Sequence, residues 1–565
     1  MVNGESVTAI GGRSKSAAAI HVLALTLAAA MFVYLVCALI PLYSHFVGNK
    51  DWGAVLYLVL ACLIIPAYWP SVAYRLLLLV MLLFLSRIRY QTFKVLEDEN
   101  LPPVSIVVAM RNEPAVIVIP LLESLTRLDY PDYEIVVADN SDILDSQGRI
   151  NGDLIEIIEF SERKGIRIVR RDCGPPLAEW PAALPASLRA SGSKGDIRGG
   201  KAGNLNAAVI SANERYRWFF ILDSDSLLPD LTLRQMISIG VQGGTSHRSV
   251  GFVQSILSAA NPGETSLSYA QSVIDEIYYN SYFKAKAAIG VVSNWGHGLL
   301  ASRSAWQATK GFPLEISEDL AWANELLLLG DFDNYYSLCH TVETKPATWT
   351  AFKIQRNRWA KGTTVQLRKQ LARLWKSDRL LWHEKMDLTY DMTSYIFNAI
   401  GCLLPILFIC SSILGSGNRI FFQTLVPAFY VVMAMDNLLV PLESARMAHK
   451  NSVGRALKLL KAVPFISIYL GAIASQIFIA VLSAFTSKSA NFVVTPKSSS
   501  DGTAGFLRIV LDNKFCYLLF FVNGWITVNA WSLNPAIVPL LVLSPIGYFL
   551  APLLGERKSL RHIFS

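Results

Sequence analysis

The sequence predicts an α/β domain inserted between two membrane-spanning regions. Of the 565 residues, 52% are hydrophobic and only 17% are charged, against about 25% charged in an ordinary soluble domain. The apolar residues are concentrated in residues 20–86 and 390–553, whereas residues 90–385 have the composition of a soluble domain. Within that central part, short β-branched runs alternate with helical patterns, which is typical of an α/β sheet. We therefore divide the chain into residues 1–89, 90–385 and 386–565.

Charge and cysteine content exclude some classes of protein. The net charge is +8, and the basic residues cluster beside the apolar segments. Membrane proteins show this pattern on their cytoplasmic side, so we predict no nucleic-acid partner. The seven cysteines are scattered without a metal-ligand spacing, and neither disulfides nor zinc are expected. The apolar run after residues 1–17 is too long for a signal peptide, and we expect no cleaved leader.

The basic residues also predict the topology of the first region. Residues 20–43 are long and apolar enough for one span, and residues 54–86 supply a second span or two short ones. Arg87, Arg89 and Lys94 follow directly. An excess of basic residues marks the cytoplasmic side, so the central domain is expected in the cytoplasm of a multi-pass protein of the cell membrane.

Four spans are predicted after the domain. They cover residues 390–414, 420–441, 515–533 and 535–553. Residues 463–486 are equally apolar, but a crossing there would leave the basic loops that follow on the outer side, against the charge bias. We therefore expect 463–486 to be an interface helix, followed by a cytoplasmic loop over 487–513.

Polar residues follow three predicted strands at the point where each ends. The strands are Val104–Ala109, Tyr133–Ala138 and Trp218–Leu222, and the polar residues behind them are Asn112, Glu113, Asp139, Asp223 and Asp225. Ligands of open α/β sheets bind outside the carboxyl ends of the strands. The sequence therefore predicts a nucleotide site at this edge.

Asp223 and Asp225 stand one residue apart behind the third strand. Side chains at positions i and i+2 of an extended segment point the same way, so the two carboxylates are expected to converge. Such oxygen ligands suit Mg²⁺ or Mn²⁺. The alternative is a surface loop that happens to carry two aspartates.

Further motifs follow in order along the chain. They are Lys201–Ala208, Asp223-Ser224-Asp225, Ser317-Glu318-Asp319, Gln355-Arg356-Asn357-Arg358-Trp359 and Phe492-Val493-Val494-Thr495-Pro496-Lys497. In this order they resemble the motifs of processive family 2 glycosyltransferases, and of cellulose synthase in particular. The last three stand where that family has Thr-Glu-Asp, Gln-x-x-Arg-Trp and the gating-loop motif Phe-x-Val-Thr-x-Lys. The resemblance covers roughly residues 100–550.

The resemblance implies a GT-A-like (Rossmann-like) fold for the cytoplasmic domain and an inverting hexosyltransferase activity. The implied partners are a nucleotide sugar, with UDP-glucose as our interpretation, a growing β-glycan acceptor and the lipid bilayer; an accessory export or periplasmic subunit is compatible with it. The product would pass out through the helices of the protein itself.

The resemblance also implies roles for individual residues. Asp319 is the expected general base; Glu318 beside it is the second catalytic candidate, although on a regular backbone it would point elsewhere. Donor-binding roles fall to Asn112, Glu113, Asp139, Lys201, Asp223, Gln355, Arg358, Phe492, Thr495 and Lys497. Acceptor-binding roles fall to Trp295, His297 and Trp359. Alternatives stay open: Ser317 as a helix N-cap, Trp359 as an interfacial tryptophan and His297 as a structural histidine.

Some positions depart from the family pattern. Asn294–Gly298 replaces the Phe-Phe-Cys-Gly-Ser of cellulose synthases, and its Gly-His pair resembles the glucosyltransferases of osmoregulated periplasmic glucans. These departures leave the acceptor and the linkage open. One alternative is therefore a non-processive transferase acting on a lipid or short glucan, which product length would distinguish. Another is a transporter or scaffold with an inactive domain, which the presence of all the expected carboxylates disfavours.

Overall fold

The computed structural model describes residues 6–11, 90–144, 148–170, 200–401, 452–486, 506–533 and 543–556, together with separate residues between 18 and 55. The predicted span 420–441 and the gating-loop residues Phe492, Thr495 and Lys497 lie outside the described residues. The spans predicted at 20–43, 54–86, 390–414 and 535–553 are described only in part.

One sheet forms the centre of the described part of the chain. Its strands are β1 Ser6–Gly11, β2 Gln91–Lys94, β3 Val104–Met110, β4 Tyr133–Asp139, β5 Arg167–Arg170, β6 Trp218–Asp223, β7 Ser249–Ala259, β8 Leu299–Ser302 and β9 Phe332–Glu343. Their order across the sheet is β2-β1-β9-β7-β8-β6-β3-β4-β5.

Helices cover both faces of the sheet and continue beyond it. They are α1 Ala115–Leu125, α2 Gly152–Arg163, α3 Gly200–Ser211, α4 Thr232–Gln242, α5 Ser266–Ile277, α6 Phe283–Ala288, α7 Arg303–Ala308, α8 Glu318–Leu329, α9 Trp349–Lys376, α10 Trp382–Gly401, α11 Ser452–Thr486, α12 Phe506–Asp512, α13 Lys514–Leu533 and α14 Leu543–Glu556. A π-helical turn, Tyr278–Tyr282, joins α5 to α6.

The three predicted strands are confirmed as β3, β4 and β6. All seven residues of β3 are buried, as expected for a parallel strand covered on both faces, and the β-branched run supplies the apolar side chains for both. β3 pairs in parallel with β4 and with β6, which sets Met110 opposite Asp139 and Ala109 opposite Asp223. The carboxyl ends of the three strands therefore meet at one edge, and the predicted α/β class is correct.

Two further strands bring loops to the same edge. β8 runs antiparallel to β6, with Leu299 opposite Ile221, so the residues before β8 lie beside the end of β6. β9 is parallel to β7, and β7 is antiparallel to β8. β9 therefore points the same way as β6, and the chain that follows Glu343 emerges beside the ends of β3 and β6.

The N-terminal residues differ from expectation. Ser6–Gly11, assigned above to the transmembrane region 1–89, form β1, which pairs antiparallel with both β2 and β9. The segment is short and follows a polar N-terminus, so its own pattern did not predict a strand. Its place in the sheet is determined by non-local pairing, which local sequence patterns do not specify.

α11 is the helix that comes nearest to a membrane span. By length and composition, Pro464–Thr486 is the one helix of the described residues long and apolar enough to cross a bilayer. It also packs against the catalytic part of the chain, where the hydroxyls of Ser266 on α5 and Tyr469 lie 2.8 Å apart. The remaining spans, and the interfacial position of 463–486, stay predictions.

Asn513 joins the C-terminal helices to α9. Its Oδ1 accepts hydrogen bonds from Trp349 Nε1, 2.8 Å, and Lys353 Nζ, 2.9 Å. α9 also packs against α8, α10 and α11. The helix that carries the Gln-x-x-Arg-Trp motif is therefore fixed between the sheet domain and the apolar helices.

Candidate active site

A cleft of about 190 Å³ lies at the carboxyl edge of the sheet. It collects residues that are far apart in the sequence. The predicted site residues that line it are Glu113, Lys201, Asp223, Asp225, Trp295, His297, Glu318, Asp319, Gln355, Arg358 and Trp359. The sheet edge and the N-terminal parts of α3, α8 and α9 form this cleft. It lies at the edge where the three predicted strands end.

Asp223 and Asp225 both line the cleft, but the backbone conformation that brings them there differs from the extended strand that the sequence predicted. β6 ends at Asp223, and a turn closed by the Ser226 N–H on the Asp223 carbonyl, 3.0 Å, follows at once. Asp225 therefore lies in a tight turn and not on an extended strand. The turn, and not the alternation of strand side chains, brings the second carboxylate to the cleft.

Lys201 in the first turn of α3 lies against the first aspartate. Its Nζ is 2.5 Å from Asp223 Oδ1. Burial alone would lower the pKa of Lys201, but the carboxylates of Asp223, Glu318 and Asp319 outweigh it and raise the pKa above its ordinary value. Lys201 therefore stays a cation in the cleft.

The two aspartates fit a hard divalent cation that obtains most of its ligands elsewhere. Among the described residues, no group of three or more His, Cys, Asp or Glu side chains could hold a metal ion. Asp223 and Asp225 offer carboxylate oxygens on one side of an open cleft. Mg²⁺ is commonly held by one or two carboxylates together with substrate phosphates and water. The pair therefore suits Mg²⁺ or Mn²⁺ when a phosphate-bearing ligand is present.

Glu318 and Asp319 form the first turn of α8. Ser317 occupies the N-cap position but makes no side-chain cap hydrogen bond; instead, Asp319 Oδ1 accepts the Leu320 N–H at 2.8 Å. A Cβ added to Gly296, whose φ is +78°, would lie 3.3 Å from Asp319 Oδ2 and 3.5 Å from Glu318 Oε1. Both carboxylates therefore face the same glycine, and the expectation that Glu318 points elsewhere is wrong.

Glu318 is buried and Asp319 beside it is half-buried, which perturbs both acids. Burial, followed by the neighbouring Asp319 charge, raises the pKa of Glu318 to about 7, with Lys201 opposing. Burial also raises the pKa of Asp319, opposed by the Leu320 N–H and by Lys201 and Arg358. Two acids that interact this strongly share their protons, so the pair holds one proton more readily than separate carboxyls would.

Gly362 allows α9 to approach the start of α8. A Cβ at this position would overlap the Ser317 Oγ. Only a glycine permits this contact, which brings Gln355, Arg358 and Trp359 of α9 to the cleft that Asp319 also lines. The Trp359 side chain remains 38% exposed, so it offers ring surface to a ligand.

The loop before β8 is held from two sides. Gln254 of β7 accepts the Trp295 N–H and donates to the His297 carbonyl, each at 3.0 Å. His297 is only 7% exposed, and its Nε2 lies 2.8 Å from Glu343 Oε2. Burial would lower the pKa of His297, but Glu343 raises it above its usual value. These contacts favour a structural role for His297, whose side chain also lines the cleft.

Glu343 and Lys345 line the cleft but were not predicted from the sequence. Lys345 pairs with both Glu343 and Asp275 of α5. Burial would raise the pKa of Glu343, but Lys345 and His297 hold it well below its usual range. Their position would have identified them: Glu343 is the last residue of β9 and Lys345 follows it closely. Polar residues at strand ends were the rule used for β3, β4 and β6.

Asn112 and Asp139 do not line the cleft. Asn112, at φ +51°, exchanges hydrogen bonds with Asp142 of 2.8 and 2.7 Å. Asp139 is fully buried, lies 3.4 Å from Arg170 and accepts the Ser141 N–H at 2.8 Å. Both residues brace the loop after β4, and their predicted part in donor binding is not supported by their position.

The Glu318–Asp319 pair predicts an unusual titration. One carboxyl group should be protonated below a pH of about 7 and ionised above it, visible as the infrared carbonyl band of a protonated acid. Glu318→Gln should remove this group and leave the titration of Asp319 nearly unchanged, because Glu318 is still protonated and neutral when Asp319 ionises. Glu315→Gln, at a glutamate paired with Lys369, should leave the band unchanged. A band that still titrates near pH 7 in Glu318→Gln would contradict the assignment.

The close approach at Gly362 predicts a steric effect on stability. Gly362→Ala should lower the free energy of unfolding by about 1–3 kcal/mol, the usual cost of overpacking, measured as a lower thermal midpoint. Adding Ser317→Ala should recover part of the loss, since the overlapping oxygen is removed while Ile316 remains close. Gly471→Ala on α11, where a Cβ meets nothing within 4 Å, is the matched control. Equal stability of the Gly362 and Gly471 variants would show that the contact is not tight.

Part of the chain matches a known protein family. Residues 218–410 match the family model described as "Glycosyl transferase family group 2". No curated protein matches the chain.

The solved structures that match this chain resemble it only weakly, as their TM-scores show. Glucosyl-3-phosphoglycerate synthase from Mycobacterium tuberculosis, in complex with Mn²⁺, UDP and glucosyl-3-phosphoglycerate, is 17% identical over 44% of this chain and 74% of that one, with a TM-score of 0.26. Its complex with Mn²⁺, UDP and phosphoglyceric acid is 17% identical over 37% and 58%, with a TM-score of 0.22. We draw no argument from likenesses this weak. Residues 218–410 therefore match a family 2 glycosyltransferase domain, and the described part of the chain forms an α/β sheet around the cleft.

Proposed function

We propose that the protein is a membrane-embedded, inverting hexosyltransferase that extends a β-glycan from UDP-glucose and passes the product out through its own helices. The observation that carries the proposal is the convergence of two functional groups of residues in one cleft. Lys201 and Asp223, which form an ion pair, make up the first group, and Asp319 and Trp359 make up the second; all four line the cleft. This is the arrangement that transfer from a diphosphate-linked sugar to a hydroxyl acceptor requires.

The donor side would bind the diphosphate. Departure of a nucleoside diphosphate concentrates negative charge on its oxygens, and fixed cations that face this charge lower the barrier. Lys201 and Arg358 line the cleft as such cations. A divalent cation held at Asp223 and Asp225 would supply further charge neutralisation for the leaving group.

The acceptor side would supply the base and the sugar-binding surface. Asp319 at the N-terminus of α8 takes the proton of the attacking hydroxyl. Glu318 beside it accepts a proton more readily than an ordinary glutamate, because it is buried next to a second acid. The exposed ring of Trp359 faces the cleft and suits the apolar face of a pyranose. Direct attack on the donor carbon, opposite the leaving group, inverts its configuration.

The packing of α9 supports coupling of transfer to export. The helix that carries Trp359 contacts α11, the candidate membrane helix, and α14. A glycan that grows along Trp359 would therefore start at the apolar helices. Phe492, Thr495 and Lys497 are proposed to close over the donor, as the family resemblance implies.

A panel of radiolabelled nucleotide sugars tests the function directly. The purified protein with Mg²⁺ should incorporate hexose from UDP-glucose into a polymer that a β-glucanase digests. Oligomers of one or two added units would instead identify a non-processive transferase. Absence of incorporation from every donor in the panel would refute the proposal.

Asp225→Asn should abolish transfer without unfolding the protein, because one carboxylate charge is lost from a cleft wall and no apolar packing changes. Asp230→Asn, at an exposed aspartate shortly after the same turn, should retain wild-type transfer. Excess EDTA should stop the wild-type reaction, and added Mg²⁺ or Mn²⁺ should restore it. Transfer at the wild-type rate in Asp225→Asn would overturn the proposed metal site.

Asp319→Asn should leave donor binding intact and reduce turnover roughly 10²–10⁴-fold, the usual contribution of a general base. Donor affinity is measured by calorimetry with UDP, and turnover by polymer formation. Asp331→Asn, at an exposed aspartate just past the other end of α8, is the control. An equal loss of UDP binding would place Asp319 in the donor site and the base elsewhere.

A further inference from the structure

Phe352, Arg356 and Trp359 form a stack along one face of α9. The spacing of four and three residues places the side chains above one another on the helix. The guanidinium carbon of Arg356 lies 5.0 Å from the centroid of the Phe352 ring and 4.6 Å from that of Trp359. Phe352 is fully buried, whereas Trp359 is partly exposed. The cation is therefore held between a core ring and a cleft ring.

The stack is what holds Arg356 in place. It forms no ion pair with the carboxylates of the described residues, and its Nε is buried without a hydrogen-bond partner among them. The hydroxyl of Tyr395 on α10 lies beside the guanidinium. Arginine prefers carboxylates or aromatic faces, and here the two rings take the place of the carboxylate.

This arrangement determines which part of Trp359 a ligand can reach. Arg356 covers one face of the ring and does not itself line the cleft. The exposed surface of Trp359 is therefore left on the cleft side, in one orientation. A side chain fixed in its bound conformation loses less freedom when a ligand binds, which increases affinity.

We propose that Arg356 is a positioning residue for acceptor binding: it fixes the Trp359 ring so that one pyranose of the acceptor stacks on the open face, and Tyr395 fixes Arg356. This inference rests on the proposed function. It assigns the acceptor-binding surface to a unit of α9 and α10, so that the first helix after the catalytic domain determines the position of the acceptor sugar.

Arg356→Met tests the proposal, because methionine keeps the length of the side chain but loses the planar cation. The affinity for cellopentaose, used as the probe, and its KM as an acceptor should worsen about tenfold, the order of one cation–π contact. The KM for UDP-glucose and the kcat at saturating acceptor should stay within about twofold, since Arg356 does not face the donor. Arg373→Met, at an exposed arginine of the same helix paired with Glu325, should change none of these values.

A double-mutant cycle separates positioning from general structure. In a Trp359→Ala background, Arg356→Met should have no further effect on cellopentaose affinity, because the residue acts through the missing ring. Additive losses would overturn the proposal. Tyr395→Phe is the milder variant in case Arg356→Met does not fold. It should also weaken cellopentaose binding and leave the KM for UDP-glucose unchanged. An unchanged affinity for cellopentaose would equally count against the proposal.

The two proposals fail in different ways. If the wild type transfers glucose but Arg356→Met binds cellopentaose normally, the positioning role is wrong and the proposed function stands. If the wild type transfers nothing from any nucleotide sugar, the proposed function is wrong, and the binding cycle with cellopentaose still decides whether Arg356 orients Trp359.

Discussion

The ammonium group of Lys201 holds together carboxylates that would otherwise repel one another. It pairs with Asp223 at the end of β6 and also stabilises Glu318 and Asp319 at the start of α8. Burying several like charges in one cleft is unfavourable unless a cation accompanies them. Lys201 comes from a third element, α3, so the electrostatic balance of the cleft requires the sheet edge and two helix N-termini to meet.

The same balance determines how the two neighbouring acids, Glu318 and Asp319, ionise. A carboxylate close to a cation ionises easily and is then a weak base, whereas a buried acid pair resists ionisation. In the Glu318–Asp319 pair these effects oppose each other, because burial raises both pKa values while Lys201 lowers them. The result is a carboxyl group, Glu318, whose pKa lies near 7, which suits a site for which we propose a general base.

The sequence predicted those parts of the site that local patterns specify. Runs such as Val104–Ala109 predicted the strands correctly because a strand buried on both faces needs a continuous apolar run. Glu343 was missed because its place depends on β9 pairing in parallel with β7, a contact between distant segments. Asp139 was assigned to the donor site because it stands at the end of a strand. Only the structure shows that its carboxylate pairs with Arg170 of β5 instead. The turn at Asp225 was likewise invisible in an Asp-x-Asp pattern.

α9 explains why the catalytic domain and the apolar helices are one functional unit. Its N-terminal half packs on Asn513 and on α11, its centre carries Gln355 to Trp359, and Gly362 presses against Ser317. A rigid helix transmits a displacement at one end to its whole length. Movement of the apolar helices that shifts α9 would therefore move Trp359 relative to Asp319. Tight packing at a glycine and a stacked arginine both resist such movement, so the distance between Trp359 and Asp319 is fixed by contacts within the helix and at its crossing with α8.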